Sequence, residues 1–179
     1  GVDPHTGFAN RRLGDEVLDA ELNRTGRGLQ SLGVILFDLD HFKTVNDSRG
    51  HLAGDQVLRA VAVRIKRHLR PYDAAIRWGG EEFVIVCPGM PEEHLRPVAE
   101  RLRSAVEDAP ICIQGQSSIH VTLSGGALFV PCHSEANAST IISLKAICRC
   151  NSLSRLAVKP SLPRAAIQSA RSGAALPKV

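Results

Sequence analysis

The pentapeptide Gly79-Gly80-Glu81-Glu82-Phe83 constrains this chain more than any other stretch. Ile76-Arg77-Trp78 before it and Val84-Ile85-Val86 after it read as β-strands. Two such runs parted by Gly-Gly predict a β-hairpin, because both turn positions are open to positive φ. The hairpin commits the fold to an antiparallel pair and sets two adjacent carboxylates at the start of the returning strand. Neighbouring acids repel each other. A divalent cation offsets that repulsion, and bare glycine backbone lets a phosphate approach closely. A solvated acidic hairpin is the other reading, and the pentapeptide alone does not separate the two.

At 179 residues the chain suits one domain with a real core. No run of 18 or more apolar residues occurs, so no membrane-spanning helix is expected, and the start lacks the pattern of a signal peptide. A structured motif begins already at Asp3, which reads as a domain cut from something longer. The basic balance of the whole chain misleads. Of 22 Lys and Arg residues seven follow Glu135, where no acid occurs, leaving 15 basic against 18 acidic side chains in residues 1–135. The positive charge belongs to the tail, and no nucleic-acid partner is expected. Five cysteines without zinc-type spacing read as unpaired thiols in a reducing cytoplasm.

Apolar spacing predicts a helix over 10–22, a strand buried on both faces over 33–37, a helix over 55–69 started by Gly54 and Asp55, and the hairpin. A helix over 91–107 and a strand over 119–130 follow. That order predicts an α/β, or α+β, sandwich with a central, mainly antiparallel sheet flanked by helices. Residues 1–135 form the expected core. Residues 136–179 leave that pattern: one helix fits within 137–150, and 151–179 are rich in Ser, Pro, Arg and Ala without periodicity, so a partly disordered segment is expected.

Chemistry concentrates at a second cluster, Phe37-Asp38-Leu39-Asp40-His41-Phe42-Lys43-Thr44-Val45-Asn46-Asp47. A carboxylate at the end of a buried strand points to where open α/β sheets place ligands. Lys43, at the beginning of a helical turn, suits phosphate together with backbone N–H groups. Either aspartate alone reads better as a helix cap, with Lys43 as a surface residue. Together, Asp38, Glu81 and Glu82 supply the oxygen ligands Mg²⁺ requires, with Mn²⁺ served equally well by such a set. Asn46 and Asp55 suit a base edge, a carboxylate matching the N–H donors of guanine.

Four segments in fixed order carry a resemblance to the GGDEF family of diguanylate cyclases. They are Asp3-Pro4-His5-Thr6-Gly7-Phe8-Ala9-Asn10-Arg11-Arg12, the cluster 37–47, Gly50-His51-Leu52-Ala53-Gly54-Asp55, and Arg77-Trp78-Gly79-Gly80-Glu81-Glu82-Phe83. The resemblance covers residues 3 to about 130. It implies a fold like that of nucleotide cyclase and polymerase palm domains, and condensation of two GTP molecules into cyclic di-GMP with release of pyrophosphate. It further implies Asp38, the Leu39 carbonyl, Glu81 and Glu82 as metal ligands, with Glu81 assisting deprotonation of the 3′-hydroxyl. Phe42, Lys43, Asn46, His51 and Asp55 become substrate contacts. Catalysis by a homodimer follows, as does a place in the cytoplasm behind an upstream sensor or receiver domain.

Arg70-Pro71-Tyr72-Asp73 precedes Gly79 with five residues between, the spacing of the family's inhibitory site for cyclic di-GMP, to which Arg101 is a further expected contributor. An Arg–Asp contact at a helix end is the structural alternative. The tail departs from the family, which continues into a helix with Ala-Leu-Tyr-x-Ala-Lys and then Gly-Arg-Asn before a last strand. Tyr72 is the only tyrosine here, and a displaced frame of Ala-Lys-x-x-Gly-Arg codons can yield the run Leu153 to Val158. A frame-shifted or diverged ending over 136–179 is therefore expected, with loss of the terminal helix and strand. That ending keeps a second reading in view, a catalytically weak domain acting as a cyclic di-GMP receptor or dimerisation module.

Overall fold

The computed structural model describes residues 1–134 and the strand at 157–159. In chain order the elements are β1 (Ala9–Asn10), α1 (Arg11–Gly26), β2 (Leu32–Leu39), α2 (Phe42–Arg49), α3 (His51–Lys66), β3 (Ala74–Arg77), β4 (Glu82–Pro88), α4 (Glu92–Glu107), β5 (Leu123–Val130) and β6 (Ala157–Lys159). The strands make one six-stranded sheet in the order β1-β3-β4-β2-β5-β6. Pairing is antiparallel for β3–β4, β4–β2 and β2–β5, and parallel only at the two edges. The expected mainly antiparallel sheet with flanking helices is what forms.

β2 is the centre. Its unbroken apolar run leaves every residue from Leu32 to Phe37 buried, because helices cover both faces. Alternation along the strand splits its side chains between two cores. Leu32, Val34 and Leu36 pack with Leu18 and Leu22 of α1 and with Trp78. Ile35, Phe37 and Leu39 pack with Phe42, Val57, Leu58, Leu95 and Leu102 from the other helices. Asp38 follows Leu36 on the α1 face, where the strand leaves the core.

Three expectations change. The helix expected from Gly54 begins at His51, and a separate helix α2 precedes it, with Gly50 alone between them at φ 88°. Only glycine turns such a corner without strain, so two helices fit where one was expected. Gly54 therefore lies inside α3, where a methyl group would collide with Asn46 Oδ1 of α2.

The hairpin is also wider than a two-residue turn. Register holds at Arg77↔Phe83, and the Trp78 and Gly79 N–H groups both donate to the Glu82 carbonyl, at 2.8 and 3.3 Å. Neither Gly79 nor Gly80 is left-handed. Gly79 lies close to the Glu82 side chain instead: a Cβ there would meet Oε2, so that carboxylate would have to shift, and Gly80 faces open space.

The tail supplies a strand after all. Residues 157–159 pair in parallel with Gly126, Ala127 and Leu128 of β5. An uncovered β5 edge offers a row of backbone donors and acceptors, which any short extended segment can pair without a side-chain pattern. The helix expected within 137–150 and the altered ending otherwise fall outside the described residues.

Candidate active site

The site lies where β2, the β3–β4 hairpin and α2 meet. Register sets Asp38 directly across from Glu82 on β4 and from Ser124 on β5. Two carboxylates opposite each other on neighbouring strands destabilise a sheet unless something positive offsets them. Glu81 sits in the turn, and its carbonyl accepts from the Leu39 N–H at 3.0 Å, tying the hairpin tip to the end of β2. Among the described residues no three His, Cys, Asp or Glu side chains gather into a metal-holding group by themselves. The expected trio Asp38, Glu81 and Glu82 is thus not gathered into one metal-holding cluster by the fold alone. What the structure brings together is Asp38 with Glu82, by strand register, and Glu81 with Leu39, by the backbone bond.

Asp40 is set apart from Asp38. Its Oδ2 accepts from the Thr122 hydroxyl at 2.6 Å, its Oδ1 from the Ser124 hydroxyl at 2.7 Å, and its N–H donates to the Thr122 carbonyl at 3.0 Å. It pins the β2–α2 junction to β5. The next residue, His41, is left-handed at φ 58° and turns the chain into α2 without a side-chain cap. The first N–H groups of α2 are the orphan donors that any helix start leaves.

Among the expected substrate contacts, Phe42 has its side chain in the core, so only its backbone can serve. Lys43 is exposed, 3.5 Å from Asp47 on the next turn. His51 is exposed at the start of α3, and Asn46 packs on Gly54. Asp55 has His5 Nδ1 at 3.4 Å from its Oδ1.

Arg70 and Asp73 face each other. Arg70 Nη2 lies 2.8 Å from Asp73 Oδ1, its Nε donates to both carboxylate oxygens at 3.1 and 3.2 Å, and its backbone N–H donates to Oδ2 at 2.9 Å. Tyr72 lies under the guanidinium, 4.7 Å from it to the ring centroid. Asp73 keeps only 3% of its side chain exposed and Arg70 32%. This is the helix-end contact that the sequence left open as an alternative. Arg101 reaches the same corner, donating to the His68 carbonyl at 3.3 Å. Beside the pair, a cavity of about 300 Å³ opens between Phe8, Lys66, Leu69 and Pro71.

Sequence reasoning passed over Asp3 and Arg77. Arg77 Nη1 lies 2.9 Å from Asp3 Oδ2 and its Nη2 2.8 Å from the Gly80 carbonyl, so one guanidinium joins the chain's first turn to the hairpin tip. Burial pushes the Asp3 carboxyl up, but bonds from the Thr6 hydroxyl and N–H, with Arg77 beside it, outweigh that and hold it below its ordinary value. Both residues stood in the motifs. Their pairing across 74 positions left no local signal.

Together these features define an α+β domain of the palm-like cyclase fold. The sequence profile of the diguanylate cyclase, GGDEF domain family matches residues 1–146, and the chain belongs to that family. It is 41% identical over 125 residues to the diguanylate cyclase DgcP of Pseudomonas aeruginosa, covering 70% of this chain and 18% of that protein. It is 38% identical over 126 residues to the response regulator PleD of Caulobacter vibrioides, covering 70% and 28%. The chain thus spans less than a third of either. Among solved structures, the GGDEF domain of DgcB from Caulobacter crescentus in complex with c-di-GMP superposes at TM-score 0.80 with 28% identity, covering 88% of this chain and 92% of that one.

Proposed function

We propose that this domain is a diguanylate cyclase that condenses two GTP molecules into cyclic di-GMP, each protomer of a homodimer holding one nucleotide. The observation that carries the reading is the register that sets Asp38 opposite Glu82, beside a glycine turn and the uncapped start of α2. Asn46 and Asp55 hold the guanine, Asp55 accepting from its N1–H and 2-amino donors. Lys43 and the first N–H groups of α2 hold the triphosphate. Glu81 receives the proton of the 3′-hydroxyl as that oxygen bonds to the α-phosphorus of the partner's nucleotide and pyrophosphate leaves. Asp38, the Leu39 carbonyl, Glu81 and Glu82 would hold Mg²⁺, or Mn²⁺, which when bound neutralises phosphate charge and lowers the hydroxyl pKa.

Two GTP molecules on facing protomers must be brought into line, and such positioning is worth at most about 7–11 kcal/mol. A strictly monomeric form therefore turns over poorly. Product inhibition through Arg70, Asp73 and Arg101 belongs to the same reading. There the product must take Asp73 from Arg70, so occupancy costs an existing bidentate pair. An upstream sensor or receiver domain would set the dimer geometry. Among the described residues no helix is long and apolar enough to cross a membrane, which is compatible with action in the cytoplasm.

The test is incubation of the purified chain with GTP and Mg²⁺, with cyclic di-GMP read by mass spectrometry. Product that disappears in Glu82→Ala is the expected result. Cyclic di-GMP binding without any turnover would replace the cyclase with a receptor.

A further inference from the structure

His5 sits at the apex of a turn built to hold it still. Asp3 Oδ1 accepts from the Thr6 N–H at 2.9 Å and the Thr6 hydroxyl at 2.7 Å, the Gly7 N–H donates to the Asp3 carbonyl at 2.9 Å, and Gly7 closes the turn at φ 71°. Arg77 clamps Asp3 from the other side. The turn carries the His5 ring to α3, where its Nδ1 is closed off from solvent, makes no hydrogen bond, and faces Asp55 Oδ1 at 3.4 Å. His5 and Asp55 remain 37% and 33% exposed as side chains, so a ligand can reach the carboxylate past the ring.

A ring nitrogen shut against a carboxylate oxygen has one favourable state. A lone pair there would repel the carboxylate, so the tautomer with a proton on Nδ1 is the one that suits this neighbour, and a small rotation of ring or carboxylate would bring it to Oδ1. The 3.4 Å separation is long for a hydrogen bond and is the kind of contact that tightens once a ligand engages the carboxylate. A carboxylate on a helix surface can rotate freely. One with a fixed ring nitrogen facing a single oxygen from the side has a preferred plane.

We propose that His5 is a positioning residue for base recognition, orienting Asp55 so that both its oxygens meet the paired N1–H and 2-amino donors of guanine. This rests on the reading of Asp55 as the guanine contact. The selectivity it confers is for the 2-amino group, because a fixed acceptor pair is left half unsatisfied by a base with one donor.

GDP and IDP differ only in that amino group and lack the triphosphate needed for turnover, so their equilibrium binding by calorimetry tests the idea on the intact chain. The wild type is expected to prefer GDP by on the order of tenfold or more. His5→Leu is expected to weaken GDP on the order of tenfold while IDP changes little, collapsing the preference toward one. His5→Asn, whose amide N–H can occupy the place of Nδ1–H, restores the preference. Wild-type affinity and preference in His5→Leu overturn the inference. So does an equal loss for both nucleotides that His5→Asn does not rescue, since that marks a merely structural ring. Asp55→Ala separates the two readings: if it weakens GDP while His5→Leu does not, only the role of His5 falls. If it changes nothing, or the wild type binds neither nucleotide, the guanine assignment falls with it.

Discussion

Removing the Arg77 guanidinium should loosen the hairpin and the first turn together, and a double-mutant cycle with Asp3 measures how strongly they are joined. The pair is nearly enclosed, with 15% of the Arg77 and 14% of the Asp3 side chain exposed and 2.9 Å between charged atoms. It therefore differs from surface ion pairs, which contribute little. Arg77→Ala leaves Asp3 with its two Thr6 bonds but no cation and deprives the Gly80 carbonyl of its donor. The first loss is worth about 1–2 kcal/mol in this largely buried setting and the second about 1. The single variant should thus lose about 2–3 kcal/mol by urea unfolding. Asp3→Asn keeps an acceptor for Thr6 and should lose about 1–1.5 kcal/mol. The coupling energy should then be about 1–2 kcal/mol.

Its pH dependence has a definite sign. The folded state lowers the Asp3 pKa below 3.8, so the stabilisation is fully present above that value and is lost as pH falls through the lowered one. Coupling should be the same at pH 7 and pH 5 and shrink only below pH 3.8. Coupling under about 0.5 kcal/mol, or coupling that already fades between pH 7 and pH 5, would refute the clamp.

Further outcomes follow from single positions. His41→Val should cost about 1–2 kcal/mol in unfolding experiments and His41→Gly almost nothing, because φ 58° penalises a β-branched residue and not glycine. Gly54→Ala sets a methyl against Asn46 Oδ1, so overpacking of about 1–3 kcal/mol should outweigh the roughly 1 kcal/mol gained in helix propensity, and guanine nucleotide binding should weaken as Asn46 shifts. Burial pushes the Cys87 thiol up to about 12, so among the described cysteines Ellman's reagent should reach exposed Cys112 and Cys132 in the native state and Cys87 only on unfolding. Since unfolded Cys87 ionises from about 9.0 upward and folded Cys87 does not, its contribution to stability should decline as pH rises past 9.0.

Patterns confined to one segment were legible without coordinates. The run from Gly33 to Phe37 announced a strand buried on both faces, and spacing announced α1, α3 and α4. Glu81, Glu82 and Asp38 announced themselves by charge at strand ends, where the core stops. These signals are local because burial imposes a period on the residues of a single element. What failed also failed locally. The Gly79-Gly80 dipeptide suggested a two-residue turn, yet the loop is wider, with the Trp78 and Gly79 N–H groups sharing the Glu82 carbonyl. The α2–α3 corner hid behind Gly50, since one left-handed residue leaves no trace in periodicity.

Sequence by itself determined the central strand, its helices, the family and the carboxylates at the strand ends. Tertiary structure decided which of those groups meet. It separated Asp38, opposite Glu82, from Asp40, spent on Thr122 and Ser124. It closed Arg70 on Asp73, brought Arg77 to Asp3, and set His5 against Asp55. The reason is reach: burial writes itself into neighbouring residues, but a hydrogen bond between positions 74 apart exists only once the sheet has brought them together.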